Sequence, residues 1–513
     1  MKSLVKGVCL SDILLVGVNA RYSHTSLGIR FLKANLKELE DRCEIAEFTI
    51  NENEDTIAEK ILLKKPKIVG FGVYIWNALN IEKIINIIKA VEPSIMIVLG
   101  GPEVSYEPFR IDWKSADFII QGEGEVGFYH LCLDLLSGKT LKQKVIYAQM
   151  PDTKKLKLPY YLYSDHDIQN RQLYFTVTRG CPYLCEFCLS AIDERVRYFD
   201  FEKTLQEFER LWEKGARNFK FIDRTFNLNI SQANALMDFF LSKKESYSLH
   251  FEVVPDNFPT RLREKIKKFP PHSLQLEVGI QTLNEEILSN INRTMDLEKV
   301  VNNISFLENE TNAHLHLDLI IGLPGESITS FADNLNRLKE ITNSEIQLGI
   351  LKKLSGTTID RWDKKFGMIY NPKPPYEILQ NDFISYLELQ KLKRFARFWD
   401  LVYNSGNFHK TKEFIWADTT VYDGFYKFSE WIYDQTESTW QISLMRLSEL
   451  LFKYLTEYKN HDKKLIADTI LSDIIRVEGR KVPGFLREYA THIPNLKKLY
   501  LNKANKRQIL RSS

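Results

Sequence analysis

A chain of 513 residues is too long for one hydrophobic core and predicts about two to four domains. Its 44% hydrophobic and 27% charged residues are the mixture of a folded globular protein and exclude extended disorder. With 70 Lys and Arg against 67 Asp and Glu, charge does not support binding to nucleic acid; only the tail is basic, with six cations and no acid between Lys497 and Arg511, and it reads as a solvated helix.

The N-terminal segment MKSLVKGVCLSDILLVG lacks the long apolar core and cleavage site of a secretory signal, and no window reaches the roughly 18 apolar residues of a membrane span. The expectation is a cytoplasmic protein without a membrane partner. Residues 1–150 then alternate short β-branched runs with amphipathic stretches. DILLVGV precedes a helix over Leu27 to Glu40, EIAEFTI precedes a helix after Asn53, and KIVGFGVYI precedes a helix over Ile81 to Val91. IMIVLGG and ADFIIQGEG follow, with a last helix over His130 to Leu136. Short strands separated by helices predict a parallel, doubly wound, Rossmann-like sheet of the α/β class, with its ligand at the carboxyl ends of the strands. The candidate ligand residues at those ends are Asn19, Ser23, Leu27 and Gly28, then Tyr74 and Trp76, then Gly100, Gly101 and Glu103, then Gly122 and Glu123. Glycine there lets backbone approach a ligand; tight turns are the alternative.

Residues 151–171, with PDTKKLKLPYY, read as a linker. Over 172–360 a second β/α series runs through LYFTVTRG, NFKFIDRTF, LHFEVV, SLQLEVGIQ, LHLDLIIGLPG and EIQLGIL, and predicts a partial (β/α)6 barrel of the TIM type with its chemistry at the strand C-termini. Residues 361–513 are mainly helical, with long amphipathic runs from about Pro374. Trp399, Trp416, Trp431 and Trp440 in that region read as helix-core packing, with a substrate entrance as the alternative.

Three of the six cysteines fall within eight positions, TRGCPYLCEFC, directly after a predicted strand. This is no disulfide framework; it is a set of reduced metal ligands. Cys181, Cys185 and Cys188 in C-x3-C-x2-C spacing suit a [4Fe-4S] cluster, where three thiolates leave one iron open to another ligand. A zinc site wants four N or S ligands, and no fourth Cys or His lies nearby in sequence.

Cys181, Cys185, Phe187 and Cys188 match the C-x3-C-x-aromatic-C signature, and the chain resembles the radical S-adenosylmethionine superfamily. The resemblance extends over about 172–360, through LEVGIQT, Arg293 and LDLIIGLPGES. It implies S-adenosylmethionine at the open iron, reductive cleavage to a 5′-deoxyadenosyl radical, Phe187 near the adenine, and cofactor contacts from Glu277, Gln281 and Arg293. The superfamily's glycine-glycine-glutamate segment, which helps hold the methionyl amine, is replaced here by Ile222-Asp223-Arg224.

SLGIRFLKANL, GGPEVS and GEGE are similar to the N-terminal segments of the cobalamin-binding subfamily, and no G-x-G-x-x-G follows the first strand as a nicotinamide dinucleotide would want. His24 has Tyr22 rather than Asp two residues before it, so the resemblance is to members whose cobalt lacks a protein histidine, and His24 is expected to serve a loop hydrogen bond. Methyl transfer to an unactivated carbon is what the subfamily implies, with a reductant protein such as flavodoxin or ferredoxin and a substrate that the residues leave unidentified. Cys9, Cys43 and Cys132 raise the alternative of a tRNA methylthiotransferase with a second cluster, but read as separate buried thiols. A cobalamin or redox sensor without turnover is the non-enzymatic alternative.

Overall fold

The computed structural model describes residues 11–491 except 478. Cys9 and the basic tail from Lys497 lie outside the described residues. The first sheet comprises β1 (Ile13–Asn19), β2 (Cys43–Thr49), β3 (Ile68–Gly72), β4 (Met96–Gly100), β5 (Phe118–Gln121) and β6 (Val145–Tyr147), in the order β2-β1-β3-β4-β5-β6 and all parallel. The order reverses beside β1, which opens a crevice at its carboxyl end. Helices α1 (Leu27–Ala34), α2 (Glu54–Leu63), α3 (Ala78–Val91) and α4 (Gly124–Leu136) connect the strands. Successive strand side chains face opposite ways. Leu14, Val16 and Val18 therefore pack with Ile57, Ile81 and Ile85 of α2 and α3, whereas Ile13 and Leu15 pack with Ile29 and Phe128 of α1 and α4. Asn53 caps α2 by accepting from the Asp55 and Thr56 amides.

Two details differ from the sequence expectation. The helix predicted over Leu27 to Glu40 ends at Ala34, because Lys37 sits at φ 51 in the left-handed region and the chain continues as a 3-10 turn over Lys37–Arg42. Strand β6 was not expected; it is only three residues long, at the sheet edge, with Val145 and Ile146 half-buried and Tyr147 69% exposed.

The second sheet comprises β7 (Leu173–Phe175), β8 (Asn218–Phe221), β9 (Ser248–Val253), β10 (Leu274–Gln281), β11 (His314–Ile321) and β12 (Glu345–Ile350), parallel and neighbouring in chain order. Six strands make a partial barrel rather than the eight of a closed one. In β10 the residues Leu274, Leu276, Val278 and Ile280 are fully buried, and Leu315, Leu317, Leu319 and Ile321 repeat the pattern in β11. The period of two puts Glu277, Gly279 and Gln281, and His316 and Asp318, on the opposite, inner face. The barrel interior is thus polar.

Helices Tyr386–Trp399, Val421–Thr436, Leu444–Lys453 and Lys463–Ile475 build the C-terminal region, preceded by a short ribbon of Ile369–Tyr370 with Ile378–Gln380. Trp399 is fully buried and donates Nε1–H to the Ile346 carbonyl of β12 at 2.9 Å, closing the barrel's last edge. Trp416 is buried beside it, Trp431 is half-buried against the same core, and Trp440 lies exposed under Arg397, so these rings do not gather at one opening. Among the described residues no helix is long and apolar enough to cross a membrane.

Candidate cofactor site

The cysteine loop leaves the carboxyl end of β7. Thr178–Arg179 pairs with Arg197–Tyr198 in an antiparallel ribbon, and Gly180 turns the chain at φ 86, where a Cβ would collide with the carbonyls of Arg195 and Asp193. Cys181 N–H donates to the Asp193 carbonyl at 2.9 Å, Glu186 N–H to Ile291 at 3.1 Å, and Cys188 N–H to Cys185 at 3.0 Å. The loop is further held by the Glu186 carboxylate, which accepts from Thr358 at 2.7 Å and pairs with Arg361 at 2.8 Å.

Cys181 and Cys185 are buried, Cys188 is half-buried, and all three line one cavity of about 190 Å³ at the barrel mouth. The predicted Phe187, Glu277, Gln281 and Arg293 line the same cavity. Arg293 donates Nη1–H to Cys185 Sγ at 3.5 Å. Burial pushes the Cys181 and Cys185 thiols up, and Arg293 works against it at Cys185. Among the described residues no three His, Cys, Asp or Glu side chains close around one point as a single metal ion requires.

Four further residues of this cavity or its inner wall escaped the sequence reading. Arg224 reaches both oxygens of Glu252 through Nη1, at 2.9 and 3.0 Å, and donates Nε–H to Ser190 at 3.2 Å. Burial would raise the Glu277 carboxyl, but His250 at 2.8 Å and the Lys220 charge outweigh it and hold it near 2. Asp318 beside it is pushed well up, by burial first and then by the charges of Glu277 and Glu252. Asp318 Oδ1 and Arg293 Nε are buried without a hydrogen-bond partner, as polar ligand contacts would be. The available signal was the period of two, which aims His250, Glu252 and Asp318 inward from otherwise apolar strands.

Asp223 accounts for the missing glycine-glycine-glutamate segment. Its buried carboxylate accepts from the Val177 amide at 3.0 Å, the Thr178 amide at 2.6 Å and the hydroxyls of Thr176 and Thr178, and burial still lifts it to about 6. Asp223 thus ties the exit of β7 to β8, while Arg224 faces the cavity.

A larger cavity of about 700 Å³ lies between the two sheets. Asn19, Leu27, Gly28, Tyr74 and Trp76 wall it on the N-terminal side, and Tyr174, Ile222 and Arg224 on the barrel side. Tyr74 and Trp76 stack with centroids 4.4 Å apart. It is continued by a pocket of about 170 Å³ among the strand ends, lined by Gly28, Gly70, Gly72, Gly100, Gly101 and Gly122. Gly101 sits at φ 108, and a Cβ there would lie 2.6 Å from the Val73 carbonyl. Beside Gly100 and Gly122 the nearest atoms to a Cβ are 3.8 and 3.9 Å away, so side chains in place of these two glycines would fill the cradle rather than meet protein.

Three predicted residues behave differently. Ser23 lines neither cavity; its carbonyl accepts from Gln172 N–H at 2.6 Å and joins the two sheets. Glu103 is buried and accepts from the Tyr376 hydroxyl instead of facing the cavities. Glu123 does line both cavities, but Arg179 and Arg197 occupy its carboxylate. The loop hydrogen bonds expected of His24 are made by its backbone: its carbonyl accepts from Asn19 at 3.1 Å, while its ring meets Tyr174 edge-on at 5.9 Å on the cavity wall. Burial, then Arg21, Lys220 and Arg171, lower its pKa. Cys43 and Cys132 sit in the core beneath α1 and α4, and burial lifts Cys43 to about 12; neither lines a cavity.

Three family models match in tandem: the B12 binding domain over residues 13–131, the Radical SAM superfamily over 175–338, and Protein of unknown function (DUF4080) over 364–513. The chain is 26% identical over 318 residues to 2-(S-pantetheinyl)-carbapenam-3-carboxylate methyltransferase of Streptantibioticus cattleyicolor, covering 55% of this chain and 46% of that one. It is 26% identical over 352 residues to the cobalamin-dependent radical SAM methyltransferase TokK of Streptomyces tokunonensis, covering 61% and 51%. The chain spans about half the length of these curated relatives. The solved structure of the cobalamin-dependent S-adenosylmethionine radical enzyme OxsB, with aqua-cobalamin and S-adenosylmethionine bound, shares the fold with a TM-score of 0.60 at 14% identity, over 91% of this chain and 79% of that one. By its two matched domain models in this order, the chain belongs to the cobalamin-binding-domain-containing subfamily of the radical S-adenosylmethionine superfamily.

Proposed function

We propose that the protein is a cobalamin-dependent radical S-adenosylmethionine enzyme that transfers a methyl group to an unactivated carbon. The observation that carries this is the meeting of two cavities: three cysteines line one at the barrel mouth, and Arg224 lines both it and the large cavity between the sheets, which continues into the glycine cradle at the facing strand ends. We assign 1–150 to cobalamin, 151–171 to the linker, 172–360 to the radical barrel and 361–513 to a helical domain.

Cys181, Cys185 and Cys188 would hold the [4Fe-4S] cluster, with Phe187, Glu277, Gln281, Arg293 and Asp318 around S-adenosylmethionine. Asn19, Leu27, Gly28, Tyr74, Trp76, Gly100, Gly101 and Gly122 would hold cobalamin. Bound there, the cofactors supply a carbon-centred radical and a transferable methyl group. The chain's own residues place and shield them. Glu277 and Asp318 set two carboxyls side by side on the cavity wall, and Arg293 sets a positive charge against the Cys185 sulfur. The ring faces of Tyr74 and Trp76 offer packing rather than a metal ligand.

The reading calls for a reducing, cytoplasmic setting and a reductant protein such as flavodoxin or ferredoxin. Burial of Cys43 and Cys132 as inert thiols counts against a methylthiotransferase with a second cluster on these residues. The test is release of 5′-deoxyadenosine from S-adenosylmethionine by dithionite-reduced protein. Release supports the enzyme; a protein that binds both cofactors and releases none is the sensor instead.

A further inference from the structure

The GEGE segment does more than wall a cavity. Glu123 and Glu125 flank Gly124, the first residue of α4, and both reach across to the segment that carries the cysteines. Arg179, two residues before Cys181, donates to Glu123 at 2.6 Å and pairs with Glu125. Its guanidinium lies 4.9 Å from the Phe31 ring centroid and 5.5 Å from that of Phe199, so one aromatic neighbour comes from each side of the domain boundary. A second route leaves the same carboxylate: Glu123 pairs with Arg197, Arg197 with Asp193 at 2.8 Å, and the Asp193 carbonyl takes the Cys181 amide.

Arg179 is 18% exposed and Glu125 5%, so neither pair is the water-screened kind that contributes little. Breaking one partner of a buried pair leaves an uncompensated charge, which makes the arrangement stiff. Arg179 lines both the large cavity and the glycine pocket, and Glu125, which lines that pocket, keeps Oε2 buried without a partner. Whatever fills the pocket meets the carboxylates, and whatever fixes the cysteine loop fixes the arginine between them.

We propose that Arg179 is a positioning residue that couples the two cofactor sites: ordering of the cysteine loop by its cluster sets Arg179, Glu123 and Glu125 in the conformation that receives cobalamin. The inference rests on the two-cofactor reading. Coupling of this kind is reciprocal, so each cofactor tightens the other by the same factor. A residue that merely stabilises the fold lowers both affinities and leaves that factor unchanged.

The experiment is anaerobic equilibrium dialysis of hydroxocobalamin against the full chain, with and without reconstituted cluster, in wild type, Arg179→Gln and Glu125→Gln. Wild type is expected to bind cobalamin about fivefold or more tightly when the cluster is present. In Arg179→Gln the ratio should fall to about one while both cofactors still bind. Should that variant fail to fold, Arg179→Lys, which keeps the charge and loses the fork, should reduce the ratio as well. Equal cobalamin affinity with and without the cluster in wild type, or a wild-type ratio retained in the folded variants, overturns the coupling. Absence of cobalamin binding in every wild-type sample overturns the two-cofactor reading itself, and the coupling with it.

Discussion

Glu326 is fully buried in the loop after β11, and its environment fixes a pH dependence that one substitution should remove. Burial lifts its carboxyl from 4.5 to about 8, against the Gly322 and Leu323 amides and Asn334, which pull it down. Asn334 donates to Glu326 Oε1 at 3.2 Å and to Thr282 at 2.9 Å, so the carboxyl helps hold the residue after Gln281 at the cavity rim. A native pKa above the unfolded one means that the folded state retains a proton which the unfolded state has released. Stability from this group is therefore full below about pH 4.5 and is lost as pH rises toward 8. The shift of about 3.5 units at about 1.4 kcal/mol each amounts to roughly 5 kcal/mol across that window. Glu326→Gln keeps the acceptor for Asn334 and replaces the unpartnered Oε2 with a neutral amide, so it should match wild type near pH 4.5 and exceed it at pH 8.5. Urea midpoints at the two pH values, followed by barrel fluorescence, give the comparison. A variant that loses as much stability as wild type between them, or that is weaker at both, refutes the assignment.

Arg224→Gln removes the ion pair to Glu252; because the arginine is half exposed, the loss should cost no more than about 1 kcal/mol of stability while weakening S-adenosylmethionine binding, read by thermal unfolding and equilibrium dialysis. Trp399→Ala should lower stability by about 3–5 kcal/mol, since it empties a fully buried site and removes one of the two donors to the Ile346 carbonyl, leaving that of Asn404; urea unfolding measures it. Gly101→Ala places a Cβ against the Val73 carbonyl at φ 108 and should weaken cobalamin binding at least as much as it weakens the fold, by dialysis beside unfolding. His24→Ala should leave the optical spectrum of bound cobalamin unchanged; a shift would make His24 the cobalt ligand.

The fold was legible where the chain repeats one device. Strands such as IMIVLGG and LHLDLII carry apolar alternation or continuous burial, and their separation by helices implies parallel pairing. β6 was not legible, because three residues at a sheet edge are too short to show a period. The cysteine loop was legible because three thiols in eight positions are rare in a chain with six. Glu123, Glu103 and Ser23 were assigned to a ligand from their place at strand ends, yet the donors that engage them, on Arg179, Arg197, Tyr376 and Gln172, lie 56 to 273 residues away in sequence. Pairings across that distance depend on how the domains dock, which local pattern does not encode. Asp318 and Glu252 belong to the opposite case: the strand period aims them inward, and only the neighbours that raise or hold their charges required the three-dimensional arrangement.

The most direct measurement is iron, sulfide and cobalt content with optical spectra after anaerobic purification in the presence of cobalamin, for wild type beside the triple variant Cys181→Ala, Cys185→Ala, Cys188→Ala. About four irons and one cobalamin per wild-type chain, with the iron alone lost in the variant, is the expected result. Iron that survives the triple substitution would contradict the cluster assignment, and wild-type protein with a cluster and no cobalamin would contradict the role given to the N-terminal sheet.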